Sequence, residues 1–109
     1  MKITSIPRAT RFPLKLRVRY RVSGTTPWNK GHTIDISRTG VLFQAEQDVG
    51  LRTVLEMRIA APSFAKLTLV CHGHVVRKQE PDCPQARPVL AALIRTASLR
   101  RQLLAHNST

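Results

Sequence analysis

The chain has 109 residues and carries 18 Lys and Arg against six Asp and Glu, a formal net charge of +12. This length suffices to bury a single core without disulfides or a structural metal, and it argues against a second domain. The positive charge indicates an anionic partner, such as nucleic acid, a nucleotide, a membrane surface or an acidic protein, without distinguishing among them.

The cysteines and the N-terminal residues bear on the cellular compartment. Cys71 and Cys83 form no CxxC pair and have no zinc-type spacing to histidine, so we expect reduced thiols. The start of the chain lacks the apolar core of a signal peptide, and no apolar run approaches the length of a membrane span. These features predict a cytoplasmic protein without a membrane span.

Residues 1–13 are predicted to form an irregular arm. Pro7 and Pro13 flank Arg8 and Arg11, and the prolines disfavour a helix while favouring extended backbone. An arm of this kind could lie across the face of a sheet.

The first strand is predicted from Leu14 to Val22, where apolar and cationic residues alternate strictly. Its cationic face consists of Lys15, Arg17, Arg19 and Arg21. Such a stripe is common on the solvated face of an antiparallel strand, and it is also compatible with a nucleic-acid track. Because Tyr20 and Trp28 show no pattern for base stacking, nucleic acid is the less favoured interpretation.

A hairpin is predicted next. Ser23–Pro27 has the composition of a turn, and a second strand follows at about residues 28–37. The turn at residues 37–40 then returns the chain into a third strand, Val41–Ala45, which should pair with the second.

The residues of this hairpin have distinct expected positions. Strict alternation places the side chains of Thr33, Asp35 and Ser37 on one face, opposite those of Ile34 and Ile36. Gly40 can adopt a positive φ and lets a ligand approach the backbone closely. An acid and a hydroxyl thus lie side by side next to a tight turn.

Three more strands are predicted at Leu51–Ala60, Lys66–Lys78 and Val89–Arg95. The last run is apolar on both faces, which suits a strand covered on both sides and is also compatible with a short helix. The tail from Ser98 could form a short helix, with Ser98 as its N-cap and three leucines on one face. Six short strands without a long helix indicate an all-β sandwich or a small six-stranded antiparallel β-barrel. The barrel is favoured because it leaves no exposed strand edges.

With the strands and the turn in place, the chain resembles the PilZ domain family of bacterial cyclic di-GMP receptors. Asp35-Ile36-Ser37-Arg38-Thr39-Gly40 fits the family's Asp/Asn-x-Ser-x-x-Gly motif, and an arginine-bearing arm precedes the first strand. The resemblance covers nearly the whole chain, and further similar segments are Phe12-Pro13-Leu14, Val18-x-Tyr20, Gly40-Val41-Leu42-Phe43 and Cys71–Arg77.

The resemblance implies a PilZ-like β-barrel at residues 14–97, between the arm 1–13 and a C-terminal tail 98–109. It implies cyclic di-GMP as the ligand, without any other cofactor, and the binding residues that it implies are Arg8, Arg11, Asp35, Ser37 and Gly40. It further implies a cytoplasmic second-messenger adaptor that changes its contacts with an effector protein, as a monomer or a ligand-dependent dimer.

Two alternatives follow from the arm and the charge. PilZ receptors carry Arg-x-x-x-Arg, whereas Arg8-Ala9-Thr10-Arg11 is one residue shorter, so that Pro7 stands where the first arginine would fall. The chain could therefore be a degenerate PilZ module that binds protein and no nucleotide. A basic barrel that binds RNA or DNA is the other alternative.

Metal binding and catalysis have little support in the sequence. His72 and His74 share a strand face and could ligate a metal, but no third ligand is near them in sequence. No motif pairs a nucleophile with a base, and there is no glycine loop of the kind that cradles phosphates. We therefore expect a binding domain and no enzyme.

Overall fold

The structure is a computed structural model that describes residues 10–61, 66–79 and 86–101. Its strands are β1 (Arg17–Val22), β2 (Asn29–Ile36), β3 (Gly40–Ala45), β4 (Val54–Ala60), β5 (Leu67–Gln79) and β6 (Val89–Arg101). They close into a barrel in the order β1-β2-β3-β6-β5-β4, with antiparallel pairing throughout. The predicted six-stranded antiparallel barrel and the predicted β2–β3 hairpin are confirmed.

The core lies inside the barrel and is formed by alternate residues of the strands. Tyr20 and Phe43 are fully buried, and their ring centroids lie 5.2 Å apart. The hydroxyl of Tyr20 donates to the carbonyl of Gln47 (2.6 Å) and accepts from the N–H of the same residue (2.7 Å). Burial raises the pKa of Tyr20 and raises that of the free Cys71 thiol to about 11. Cys83 lies outside the described residues.

The predicted helix start at Ser98 is wrong. β6 continues through Ser98 to Arg101, and Ser98 pairs with Val70 of β5. Arg95 is an extra residue in β6, where the register with β5 shifts. Such a bulge interrupts the side-chain alternation, so the sequence pattern breaks at Arg95 although the strand continues.

Backbone pairing with β5 therefore overrides the local helical pattern of the tail. The leucines at positions 103 and 104 lie outside the described residues, and the division into arm, barrel and tail stays a prediction. Within the described ranges, no helix is long and apolar enough to cross a membrane.

Candidate functional site

The turn between β2 and β3 is shaped by the side chain of Ser37. The N–H of Ser37 donates to the carbonyl of Gly40 at 2.9 Å. Its hydroxyl oxygen accepts from the N–H of Gly40 at 3.1 Å and from the N–H of Thr39 at 3.3 Å. Serine is thus explained at this position by local hydrogen bonding, independently of any ligand.

Gly40 serves close packing. Gly40 does not use the positive φ that glycine permits, because its backbone lies outside the left-handed region. A Cβ at this position would stand 3.1 Å from the carbonyl oxygen of Ala92 in β6. The neighbouring carbonyl of Thr39 accepts a hydrogen bond from the N–H of Ile94 at 2.8 Å. The lack of a side chain therefore lets β6 fix the turn against the barrel.

A β-bulge in β2 sets the faces of the hairpin. Thr33 and Asp35 pair with consecutive residues of β3, so Ile34 between them is an extra residue. Thr33 points into the barrel in phase with Gly31 and is 2% exposed, whereas Asp35, beyond the bulge, points outward. The predicted shared face of Thr33 and Asp35 is wrong because the alternation is interrupted at Ile34. Asp35 and Ser37 follow the bulge and share the outer side, as predicted.

Asp35 combines partial burial with a lack of partners. Its side chain is half-buried beside the turn. Within the part of the chain that the structure describes, its carboxylate makes no hydrogen bond and no ion pair. As far as the described residues are concerned, this carboxylate can accept hydrogen bonds from a ligand.

The arm pairs with β2 directly beside the motif. The N–H of Phe12 donates to the carbonyl of Ile36 at 2.8 Å, and the N–H of Ile36 donates to the carbonyl of Phe12 at 3.0 Å. In this antiparallel register, Arg11 is the neighbour of Ser37. The structure thus brings the exposed Arg11 to the motif, while Arg8 lies outside the described residues.

Thr33 holds the segment that links the arm to β1, a role that the sequence analysis missed. Its hydroxyl accepts from the N–H of Leu16 at 2.8 Å and donates to the carbonyl of Leu14 at 2.5 Å. Its own N–H donates to the carbonyl of Leu16 at 2.8 Å. These bonds tie residues 14–16 to β2, and β1 begins only at Arg17. Thr33 points inward in phase with the buried Gly31, and the bulge at Ile34 puts Asp35 on the opposite side. No sequence pattern signals this bulge.

The outer wall of β1 and β4 carries a second polar cluster. Trp28 is half-buried, with the guanidinium groups of Arg21 and Arg58 at 4.3 and 4.9 Å from its ring centroid. Glu56 pairs with Arg21 at 2.5 Å and with His72 at 3.3 Å. The hydrogen bond from Arg21 holds the pKa of Glu56 below its usual value. The cluster thus contains one carboxylate shared between an arginine and a histidine.

The two histidines of β5 share a face, as predicted. Gly73 between them is buried, whereas His72 is exposed and His74 half-buried on the outer side. In the described segments, no group of three or more His, Cys, Asp or Glu residues could hold a metal ion.

Comparison with known proteins assigns the chain to a family. The family model of the PilZ domain matches residues 6–84, a region that contains the arm from Ile6, the motif turn and strands β1 to β5. The match ends before β6, the strand that closes the barrel between β3 and β5. No curated protein matches the chain significantly. Because the matched region covers most of the sequence, the chain belongs to the PilZ domain family.

Proposed function

We propose that the chain is a cyclic di-GMP-binding adaptor domain, with the ligand held between the arm and the β2–β3 turn. PilZ domains form a family of cyclic di-GMP receptors that act as binding and adaptor domains. The observation that carries the proposal is the backbone pairing of Phe12 with Ile36. This pairing joins the arginine-bearing arm to the strand that ends in the Asp-x-Ser-x-x-Gly motif.

The chemistry of a guanine nucleotide suits the residues beside this pairing. Guanine offers the O6 and N7 acceptors, which an arginine fork can grip with two parallel hydrogen bonds. Its N1–H and amino donors suit a carboxylate that has no other partner, and Asp35 is such a carboxylate among the described residues. Arg11 is exposed and supplies the fork or a phosphate contact. Ser37 supports the site by fixing the turn.

The proposed function includes regulation of a partner protein. A ligand that contacts both the arm and the barrel binds more tightly when the arm is docked than when it is free. Ligand binding therefore favours the docked state. Docking of the arm would then alter the surface that an effector protein contacts. The domain acts by binding, without a catalytic step of its own.

The spacing of the arginines favours a second candidate, a PilZ module that binds protein without nucleotide. In extended backbone, residues four apart point to the same side, whereas residues three apart point to opposite sides. The family's Arg-x-x-x-Arg therefore presents both guanidinium groups to one ligand. Arg8 and Arg11 are three apart and do so only where the arm departs from a fully extended conformation.

Calorimetric titration with cyclic di-GMP distinguishes the two candidates. We expect saturable binding to the wild type and a loss of affinity of roughly thirtyfold or more in Arg11→Ala and in Asp35→Ala. Loss of one partner of a buried charged hydrogen bond typically costs about 2–5 kcal/mol. Titration of Arg8→Ala under the same conditions measures the contribution of the first arginine.

Arg52→Ala is the matched control, because Arg52 is exposed in the segment before β4, at the barrel end opposite the motif turn. It should bind as the wild type does. If the folded wild type gave no heat of binding with cyclic di-GMP, the second candidate, a PilZ module that binds protein without nucleotide, would be supported. Unchanged affinity in both site variants would place the nucleotide elsewhere.

A further inference from the structure

Three cations form a row across the outer wall of the barrel. Arg19 of β1 pairs directly with Lys30 of β2 on one side and with Arg58 of β4 on the other. All three side chains are exposed. Among the described residues, none of the three takes part in an ion pair. We call these three residues the cation row.

The cation row is unfavourable for the barrel itself. Residues directly opposite on neighbouring strands have Cβ atoms about 4.5–5.5 Å apart, and like charges at such positions destabilise a sheet. In the next row on the same wall, Glu56 lies between Arg21 and His72 and pairs with both. An acidic residue is thus compatible with this wall, since Glu56 stands in the row next to the cation row. Glu46 lies beside Lys30 at one end of the row, where its carboxylate accepts from the N–H of Lys30 at 2.8 Å, and Arg58 lies over the ring of Trp28. Arg19 at the centre of the row has no such contact among the described residues, and a cation held between two like charges points to a functional site.

The surroundings of the row narrow the class of partner. Arg17 and His32, which pair with each other on the side of the row away from Glu56, are both exposed. On the other side, the ring of Trp28 is covered by Arg21 and by Arg58 of the row. This indole is not free to stack on a base or to insert into a bilayer. We therefore expect this surface to recognise its partner by charge.

We propose that the cation row, together with Arg17 and His32, is a sequence-independent contact surface for the phosphate backbone of a nucleic-acid duplex. Neighbouring strands lie about 4.8 Å apart and alternate residues about 7 Å apart, so these residues form a rigid grid of roughly 10 by 7 Å. Duplex DNA carries one phosphate charge per about 1.7 Å of its axis, so the grid faces several phosphates. A duplex also keeps its bases stacked inside, which suits a surface without a free aromatic ring. The surface is separate from the arm and the motif turn.

Two variants that remove the same net charge test the proposal. Arg19→Thr removes the central cation of the row. Arg77→Thr removes an exposed arginine of β5 that pairs with Ala91 and has no charge opposite it. Binding of a short DNA duplex of arbitrary sequence is followed by fluorescence anisotropy over a range of salt concentrations, without cyclic di-GMP. Thermal unfolding of the same proteins is recorded at low salt.

The wild type should bind the duplex with an affinity that falls steeply with salt. Arg19→Thr should weaken binding to all sequences alike and reduce the slope of log affinity against log salt by about 1. Its melting temperature should rise by about 1–5 °C, because the substitution relieves the repulsion of Arg19 with both Lys30 and Arg58. Arg77→Thr should leave the duplex affinity, its slope with salt and the melting temperature unchanged.

Several results would overturn the proposal. Equal losses of duplex affinity in Arg19→Thr and Arg77→Thr would show that net charge alone is responsible. If the wild type bound no duplex at low salt, this surface would not be a nucleic-acid contact surface. Binding to vesicles of phosphatidylcholine and phosphatidylserine, without binding to the duplex, would assign the wall to a membrane surface.

Discussion

Thr33 is the residue on which the geometry of the candidate nucleotide site depends most. A single buried hydroxyl holds both the carbonyl of Leu14 and the N–H of Leu16, and through them the segment between the arm and β1. Arg11 and Asp35, the proposed ligand residues, belong to different segments, and this hydroxyl helps to tie those segments together. A side chain outside the proposed contacts thus bears on the distance between two residues that are proposed to bind the ligand.

Replacement of Thr33 by the isosteric valine should destabilise the protein by about 1–3 kcal/mol, since it removes two hydrogen bonds worth roughly 0.5–1.5 kcal/mol each. Urea unfolding measures this change. Thr96→Val is the control, because Thr96 is exposed on β6 and its hydroxyl bonds to no described residue. An equal cost at both positions would contradict the role assigned to Thr33.

Glu56 should make the stability of the barrel sensitive to acid. Its pKa is lowered in the folded state from a usual value of 4.5, chiefly by the hydrogen bond from Arg21. A carboxyl of this kind adds stability above its unfolded pKa, and the contribution is lost as the pH falls through the folded pKa. Glu56→Gln should therefore lose less stability than the wild type on acidification below pH 4.5.

Urea midpoints measured at neutral pH and below pH 4.5 test this expectation. The control is Glu46→Gln, which removes an exposed carboxylate that has no ion-pair partner among the described residues. The control should follow the wild type. Parallel acid profiles for the wild type and Glu56→Gln would refute the assignment.

At the scale of the strands, bulges decide what could be predicted from the sequence. Alternation of apolar and polar residues predicts strands that bury one face inside the barrel, such as β1 and β4, whereas the sixth strand is predicted from a run that is apolar on both faces. The extra residues Ile34 and Arg95 cannot be recognised in that pattern, since a bulge is fixed by the partner strand. The wrong face for Thr33 and the wrong helix start at Ser98 both follow from them.

The candidate site was predictable to the extent that its residues lie in one continuous motif. Asp35, Ser37 and Gly40 are close in sequence, and their common place at the end of β2 follows from the turn. The approach of β6 to Gly40 depends on a strand more than fifty residues away, and it was therefore not predictable. The pairing of the arm with Ile36 likewise required the structure.

Substitution of Gly73 tests how closely β5 packs against β6. A Cβ at this position would overlap the carbonyl oxygen of Leu93, a backbone atom held in the ladder between the two strands. Gly73→Ala should lower the free energy of unfolding by about 1–3 kcal/mol or more, because the added methyl group overpacks a tight interior. The comparison is Gly50→Ala, where the added Cβ would have Thr53 Oγ1 as its nearest neighbour, at 3.6 Å.

Chemical unfolding of these two alanine variants should show a large difference in midpoint. Gly50→Ala should remain close to the wild type, because its added methyl group meets only an ordinary van der Waals contact. If Gly73→Ala were as stable as Gly50→Ala, the close approach of β6 to β5 at this bulge would be incorrect.

On the scale of the whole molecule, the barrel separates two proposed binding surfaces. The arm and the motif turn meet at the end of β2, whereas the cation row crosses the wall of β2, β1 and β4. β6 supports the first surface by holding Thr39 and packing against Gly40. A net charge of +12 attracts anionic ligands to both, so charge alone does not determine where a nucleotide binds.

The most direct test of the central claim is a titration of the isotope-labelled chain with cyclic di-GMP, followed by the backbone amide signals in NMR spectra. The claim is that the arm and the motif turn form one nucleotide site. It predicts shift changes at Arg11, Phe12 and residues 37–40, with the amides of Arg19 and Arg58 unaffected. Unchanged spectra at saturating nucleotide, or changes confined to the cation row, would contradict it.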